Sequence, residues 1–146
     1  MEDSTFYTRK TKGYEIKDVA KAVILSLESK LHLIPAHQVR GGSSIDQQLI
    51  KTLVFGGSNA EMTMSRKIIE VLDSHSLATR YSRNEILQAY LDSIRLTSET
   101  IGVRAAYSDL FGDSDMTKLN ASSSESIART AFMAGLGQAP TQYTTN

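Results

Sequence analysis

Apolar residues in this chain return at three- and four-residue steps almost throughout, and no stretch alternates convincingly over six residues. That pattern predicts helices and few or no strands. Ile16, Val19, Ala20, Val23, Leu27 and Leu31 share one apolar face, which predicts a helix over about 15–31. Pro35 and the pair Gly41-Gly42 break the pattern and enclose a loop. Ser44 with Gln47 reads as a capping box that opens a short helix. Its stripe is Ile45, Leu49 and Leu53, and Gly56-Gly57-Ser58-Asn59 ends it. Thr63 or Ser65 opens the next helix, with Ile68, Ile69, Leu72 and Leu77 as candidate core positions. Ser82 and Glu85 form a second capping box, followed by Ile86, Leu87, Tyr90, Leu91 and Ile94 on one face. A shorter helix is predicted over about 103–110 with Gly112 at its exit. Ser122 and Glu125 cap a last helix through Ile127, Ala131 and Ala134, which Gly135, Gly137 and Pro140 terminate. The prediction is an all-α chain of about six helices forming one domain over 1–146.

A chain of 146 residues can bury one real core, and 40% hydrophobic with 22% charged residues excludes a disordered segment. Zero net charge, with no excess of either sign in either half, argues against nucleic acid as a partner. The absence of cysteine excludes disulfides and thiolate metal sites and agrees with an extracytoplasmic protein. No apolar run approaches the ~20 residues of a membrane span. A motif begins at Glu2, directly after Met1, which implies a segment of a longer protein. His32, His37 and His75 are not spaced as metal ligands, and Asp113 and Asp115 read as solvated turn residues, so no metal site is predicted.

Four short runs carry chemistry: EDSTFY at 2–7, GGSSIDQQLIK at 41–51, RKIIE at 66–70 and NEILQAYLDSI at 84–94. Each has an ordinary explanation by itself. Glu2 alone is a solvated terminal acid. The glycine pair followed by a capped helix is a surface turn, although two glycines, a helix N-terminus and Lys51 also suit an anion. Arg66 and Glu70 alone make a helical ion pair worth a few tenths of a kcal/mol.

Four such runs in this order, separated by helix-sized gaps, resemble the peptidoglycan glycosyltransferases of family 51. That family is the glycan-polymerising module of bifunctional penicillin-binding proteins. Glu2, Asp3, Phe6 and Tyr7 match its opening motif, and Gly41, Gly42, Ser43, Ile45, Gln47, Gln48 and Lys51 match its donor-site motif. Arg66, Lys67 and Glu70 match a third, and Arg83, Ile86, Leu87, Tyr90, Leu91 and Ile94 a fourth, mostly packing, motif. Gly102, Ala105, Ala106, Phe111-Gly112 and the run AGLGQAPTQY extend the likeness nearly to the end.

The resemblance implies a lysozyme-like helical fold and polymerisation of lipid II into glycan strands with release of polyprenyl diphosphate. It implies Glu2 as general base on the acceptor hydroxyl and Glu70 as a second catalytic carboxylate. Asp3, Phe6, Ser43, Gln47, Lys51, Arg66 and Lys67 are the implied substrate-binding residues. It also implies assistance by a divalent cation, magnesium or manganese. The implied partners are lipid II, the growing glycan chain, the membrane surface, and a linked transpeptidase domain or other cell-wall synthesis proteins. The implied location is the extracytoplasmic face of the bacterial cytoplasmic membrane. Apolar residues around Leu31–Ile34 and Leu53–Phe55 suit contact with the bilayer that holds the substrate.

Several positions depart from the pattern. Arg9 stands where the family places His, and Gly13 matches only across a two-residue insertion. Asp46 replaces Thr, Ile69 stands where a Lys is common, and Asp92 replaces Asn. Facing a diphosphate about 5 Å away, Asp46 would oppose binding by roughly 3 kcal/mol at an effective dielectric near 20; facing solvent, it would cost little. These departures motivate a second reading, a non-catalytic domain that binds lipid II or a partner. A lysozyme-like glycosidase is third, because GGSSIDQQLIK has no part in that chemistry.

Overall fold

The computed structural model describes residues 3–10, 12–14, 20, 43–56, 64–97, 99–113, 115–120 and 122–138. Among them are five α-helices: α1 (Ile45–Phe55), α2 (Met64–Arg80), α3 (Arg83–Ser93), α4 (Val103–Phe111) and α5 (Ser124–Gln138). A short 3-10 turn, Met116–Lys118, precedes α5, and the one extended feature described is an isolated antiparallel bridge between Arg95 and Ile101. The all-α expectation holds. The helix expected over 15–31, apart from Ala20, and the glycine pair at 41–42 lie outside the described residues. The chain divides into two compact units, Met1–Tyr90 and Leu91–Asn146.

In the first unit α1 packs against α2. Ser44 caps α1 by accepting the Gln47 N–H on its Oγ at 3.3 Å. The reciprocal half of the expected box is absent, because the Gln47 side chain turns to Lys67 instead. Gly56, in the left-handed region at φ +72, closes the helix. Of the expected stripe, Ile45 and Leu49 are buried, but Leu53 is 64% exposed, a turn beyond the packed end. Phe6, Ile45, Leu49 and Ile86 form the core of this unit, with Leu77, Ala78, Leu87 and Tyr90 against it.

The inner face of α2 is not the one its apolar residues suggested. Arg66, Glu70 and Ser74, each one turn apart, are buried, while Ile68, Ile69 and Leu72 are exposed. Only Leu77 of the four expected core positions packs inward. Polar groups occupy the inner face because they have partners there, described below, which removes most of the cost of burying them. The Ser82–Glu85 box at the start of α3 forms in full, with Ser82 N–H donating to Glu85 Oε2 at 2.8 Å and Glu85 N–H to Ser82 Oγ at 3.3 Å. The Ser82 N–H and the Ser82 hydroxyl, which also donates to Glu85 Oε2 at 2.7 Å, hold the Glu85 carboxyl below its ordinary value.

The second unit is built around Leu96, Ala106, Tyr107, Met133 and Leu136. Gly102 sits at φ +88, where a Cβ would lie 2.8 Å from the Asp92 carbonyl oxygen, so a side chain is excluded at the entry to α4. Gly112 ends α4 as expected. Asp113 and Asp115 form turn bonds, Asp115 Oδ1 capping the 3-10 turn by accepting the Thr117 N–H at 3.1 Å. Two expectations at α5 are corrected. Ser123, not Ser122, caps it, accepting the Ser126 N–H on its Oγ at 3.4 Å, because the helix begins at Ser124. The helix also runs through Gly135 and Gly137 to Gln138, since neighbouring packing outweighs the ~1 kcal/mol cost of a helical glycine.

Candidate active site

The first turn of α1 is buried throughout, and its polar residues organise two connected clusters in the first unit. The first is built on the segment 3–9. Asp3 Oδ2 accepts the Ile45 N–H at 3.1 Å, while Oδ1 accepts the Thr5 N–H at 3.1 Å and the Thr5 hydroxyl at 2.8 Å. Arg9 Nη1 donates to Asp3 Oδ2 at 2.5 Å, and Arg9 Nη2 donates to Asp46 Oδ2. All three side chains are buried. Burial by itself would raise the Asp3 carboxyl; the Ile45 N–H, the Arg9 guanidinium and Thr5 outweigh it and hold the group below its ordinary value. Two carboxylates face one guanidinium here, and the positive end of α1 offsets the excess negative charge.

Asp46 therefore faces neither diphosphate nor solvent, the two alternatives open from sequence. The expected free N–H groups at this helix end are also partly taken: Ile45 N–H by Asp3 and Gln47 N–H by Ser44. The anion held at this terminus is one of the protein's own carboxylates.

The segment is anchored from two further directions. Ser44 Oγ donates to the Gly13 carbonyl at 2.8 Å. Arg83 donates to the carbonyls of Phe6 at 2.5 Å and Arg9 at 2.8 Å. Sequence reasoning treated Arg83 as part of a packing motif. One signal was present: a cation at the first position of a helix opposes the helix dipole, so its charge must be used elsewhere. Phe6, expected at the substrate, is fully buried in the core and has no surface to offer a ligand.

The second cluster is built on α1 and α2. Lys67 Nζ donates to Ser43 Oγ at 2.9 Å, Gln47 Oε1 at 3.2 Å and Glu70 Oε2 at 3.1 Å. Arg66 Nε lies 3.0 Å from Glu70 Oε1, a charge contact and not an aligned hydrogen bond. Five of the residues singled out from sequence, Ser43, Gln47, Arg66, Lys67 and Glu70, thus meet in one network. An ammonium has three N–H donors, and all three of Lys67 are committed. Lys51 stands one turn beyond Gln47 on α1, half-buried, and makes no ion pair among the described residues. Glu2 lies outside the described residues.

A divalent cation does not fit these side chains by themselves. Asp3 and Asp46 are bound to Arg9, Glu70 is bound to Arg66 and Lys67, and no group of three metal-ligating side chains gathers among the described residues. No helix among them is long and apolar enough to cross a membrane.

Residues 1–146 match the family model described as Transglycosylase. The chain is 35% identical over 145 residues to penicillin-binding protein 1A of Clostridium acetobutylicum, a match covering 98% of this chain and 17% of that protein. It is 31% identical over 147 residues to the monofunctional glycosyltransferase of Staphylococcus saprophyticus, covering 100% of this chain and 50% of the relative. With the monofunctional glycosyltransferase of Staphylococcus haemolyticus it shares 29% over 143 residues, covering 98% and 48%. The chain therefore spans half or less of the length of these relatives.

Proposed function

The chain belongs to the transglycosylase family, and from that membership we propose that it polymerises lipid II into peptidoglycan glycan strands. The observation that carries the reading is the network joining Ser43, Gln47, Arg66, Lys67 and Glu70. It starts on the same helix turn that holds Asp3, the neighbour of Glu2 in sequence.

In this reading Glu2 takes the proton from the 4-hydroxyl of the acceptor sugar. The freed oxygen attacks the anomeric carbon of the donor from the face opposite the diphosphate. The carbon–oxygen bond to the diphosphate breaks, the centre inverts, and polyprenyl diphosphate departs with the electron pair. Cations must meet the charge that develops on that leaving group. Lys51, which makes no ion pair among the described residues, makes the first contact. Lys67 and Arg66 bring charge from α2, and a phosphate oxygen replaces Ser43 or Gln47 as a Lys67 acceptor. Glu70 accepts from Lys67 and lies in charge contact with Arg66; this suits a carboxylate that aims them better than one that moves a proton. Asp3 and Phe6 serve as scaffold, since one has both oxygens engaged and the other is in the core.

The substrate is a membrane lipid. Leu53 and Val54 on α1 and Ile68, Ile69 and Leu72 on α2 are exposed, which supports a surface resting on the bilayer at its extracytoplasmic face. A linked transpeptidase domain or other cell-wall synthesis proteins as partners extend this reading. The non-catalytic alternative loses ground. Arg9 and Asp46 satisfy each other, and Ile69, on the exposed side of α2, is not turned to the Glu70 cluster.

The test is polymerisation of lipid II in detergent by the full chain and by Glu2→Gln. Glycan strands from the first and none from the second are expected. Equal product from both removes Glu2 as base, and binding of lipid II without product from either restores the non-catalytic reading.

A further inference from the structure

We propose that Arg9 is a positioning residue for the glycosyl transfer, its guanidinium clamping Asp3 and Asp46 together so that the segment 3–9, which follows Glu2 in sequence, is fixed against the first turn of α1. The inference rests on the glycosyltransferase reading above. Arg9 and Asp46 act as one unit in it, and neither is a loss of function.

The geometry favours a locating role over a purely stabilising one. Buried ion groups gain little net stability over apolar residues of similar size, because desolvation offsets attraction. A guanidinium instead has a rigid planar fork, and here its two Nη atoms reach carboxylates from two different segments of the chain. That fixes both the separation and the orientation of those segments. Arg9 is itself held at its backbone: its N–H donates to Thr5 O at 2.7 Å, and its carbonyl accepts from Arg83 at 2.8 Å. Its guanidinium carbon lies 5.3 Å from the centre of the buried Phe6 ring, which limits sideways motion. Consecutive Cα atoms are about 3.8 Å apart, so a brace on Asp3 acts one residue from Glu2. Misplacing a reacting group by 1 Å can cost about 100-fold in rate.

The experiment measures kcat and KM for lipid II polymerisation, direct binding of lipid II, melting temperature, and amide hydrogen exchange across 3–9. It compares the full chain with Arg9→Gln, Arg9→Lys, Asp46→Asn and the double variant Arg9→Gln/Asp46→Asn. Arg9→Gln should lower kcat about 30- to 100-fold, keep lipid II affinity within about threefold, and speed exchange in 3–9. Asp46→Asn should lower kcat by a smaller factor, and the double variant should lie within about threefold of Arg9→Gln, as expected of one unit. Arg9→Lys keeps the charge without the fork, so it should recover melting temperature but not kcat.

Full recovery of kcat by Arg9→Lys would reduce the cluster to charge balance and overturn the proposal. So would additive losses, an equal loss of affinity, or unchanged exchange in 3–9 of a folded variant. If Arg9→Gln does not fold, Arg9→Lys and Asp46→Asn decide alone. If the unaltered chain makes no glycan, the enzymatic reading fails, and base positioning falls with it. Exchange in 3–9 then shows separately whether the clamp orders the segment.

Discussion

Replacing Gly13 by alanine should cost more than the same change at Gly56, the other described glycine of the first unit, and its cost follows from the structure. Gly13 has φ +82, and a Cβ there would lie 2.1 Å from the Ser74 carbonyl oxygen and 2.4 Å from its carbon. Adopting that φ with a side chain costs about 1–2 kcal/mol. The contact adds to this, because both obstructing atoms belong to the α2 backbone and cannot swing aside. To clear them the segment must retreat by about 1 Å, which loosens the Ser44–Gly13 hydrogen bond, worth about 1 kcal/mol. The sum is about 2–3 kcal/mol, or a fall in Tm of roughly 4–12 °C for a chain of this size. Gly56→Ala is the matched control: its φ is similar at +72, but nothing lies within 4 Å of the added methyl. It should cost only the backbone part, about 1–2 kcal/mol. The assay is thermal unfolding of the two variants side by side, followed by circular dichroism. Equal shifts would refute the reasoning, since they would mean that the segment is not seated on α2.

Two further outcomes follow from the same segment. Arg83→Met should remove two charge-assisted bonds to the carbonyls of Phe6 and Arg9, at a cost of about 2–4 kcal/mol read from urea unfolding; an unchanged midpoint would show that these bonds contribute nothing. Asp3 has a folded pKa below its unfolded value of 3.8, so its contribution to stability is present above that value and lost as pH falls through the folded pKa. Asp3→Asn should therefore be less stable than the unaltered chain at neutral pH and lose less stability on acidification below about pH 4. Parallel curves would contradict the assignment.

The distribution of what was legible follows the range of the forces involved. Helix spacing, the Ser82–Glu85 box and the glycine exits at Gly56 and Gly112 arise from neighbours within four residues, so sequence alone determined them. The residues that meet at Lys67 were also named in advance, because their motif spacing survives in the sequence whatever the packing. Periodicity failed on α2, where it assigned Ile68, Ile69 and Leu72 to the core. A helix with both an apolar and a polar face can bury either one, and only the partners offered by α1 decide the choice. Asp46 and Arg9 show the same limit more sharply. Read separately, each is a charge in the wrong place. Their positions are 37 residues apart, and nothing local records that they meet. Tertiary structure decided that question, because an ion pair between distant segments exists only once the chain has brought them together.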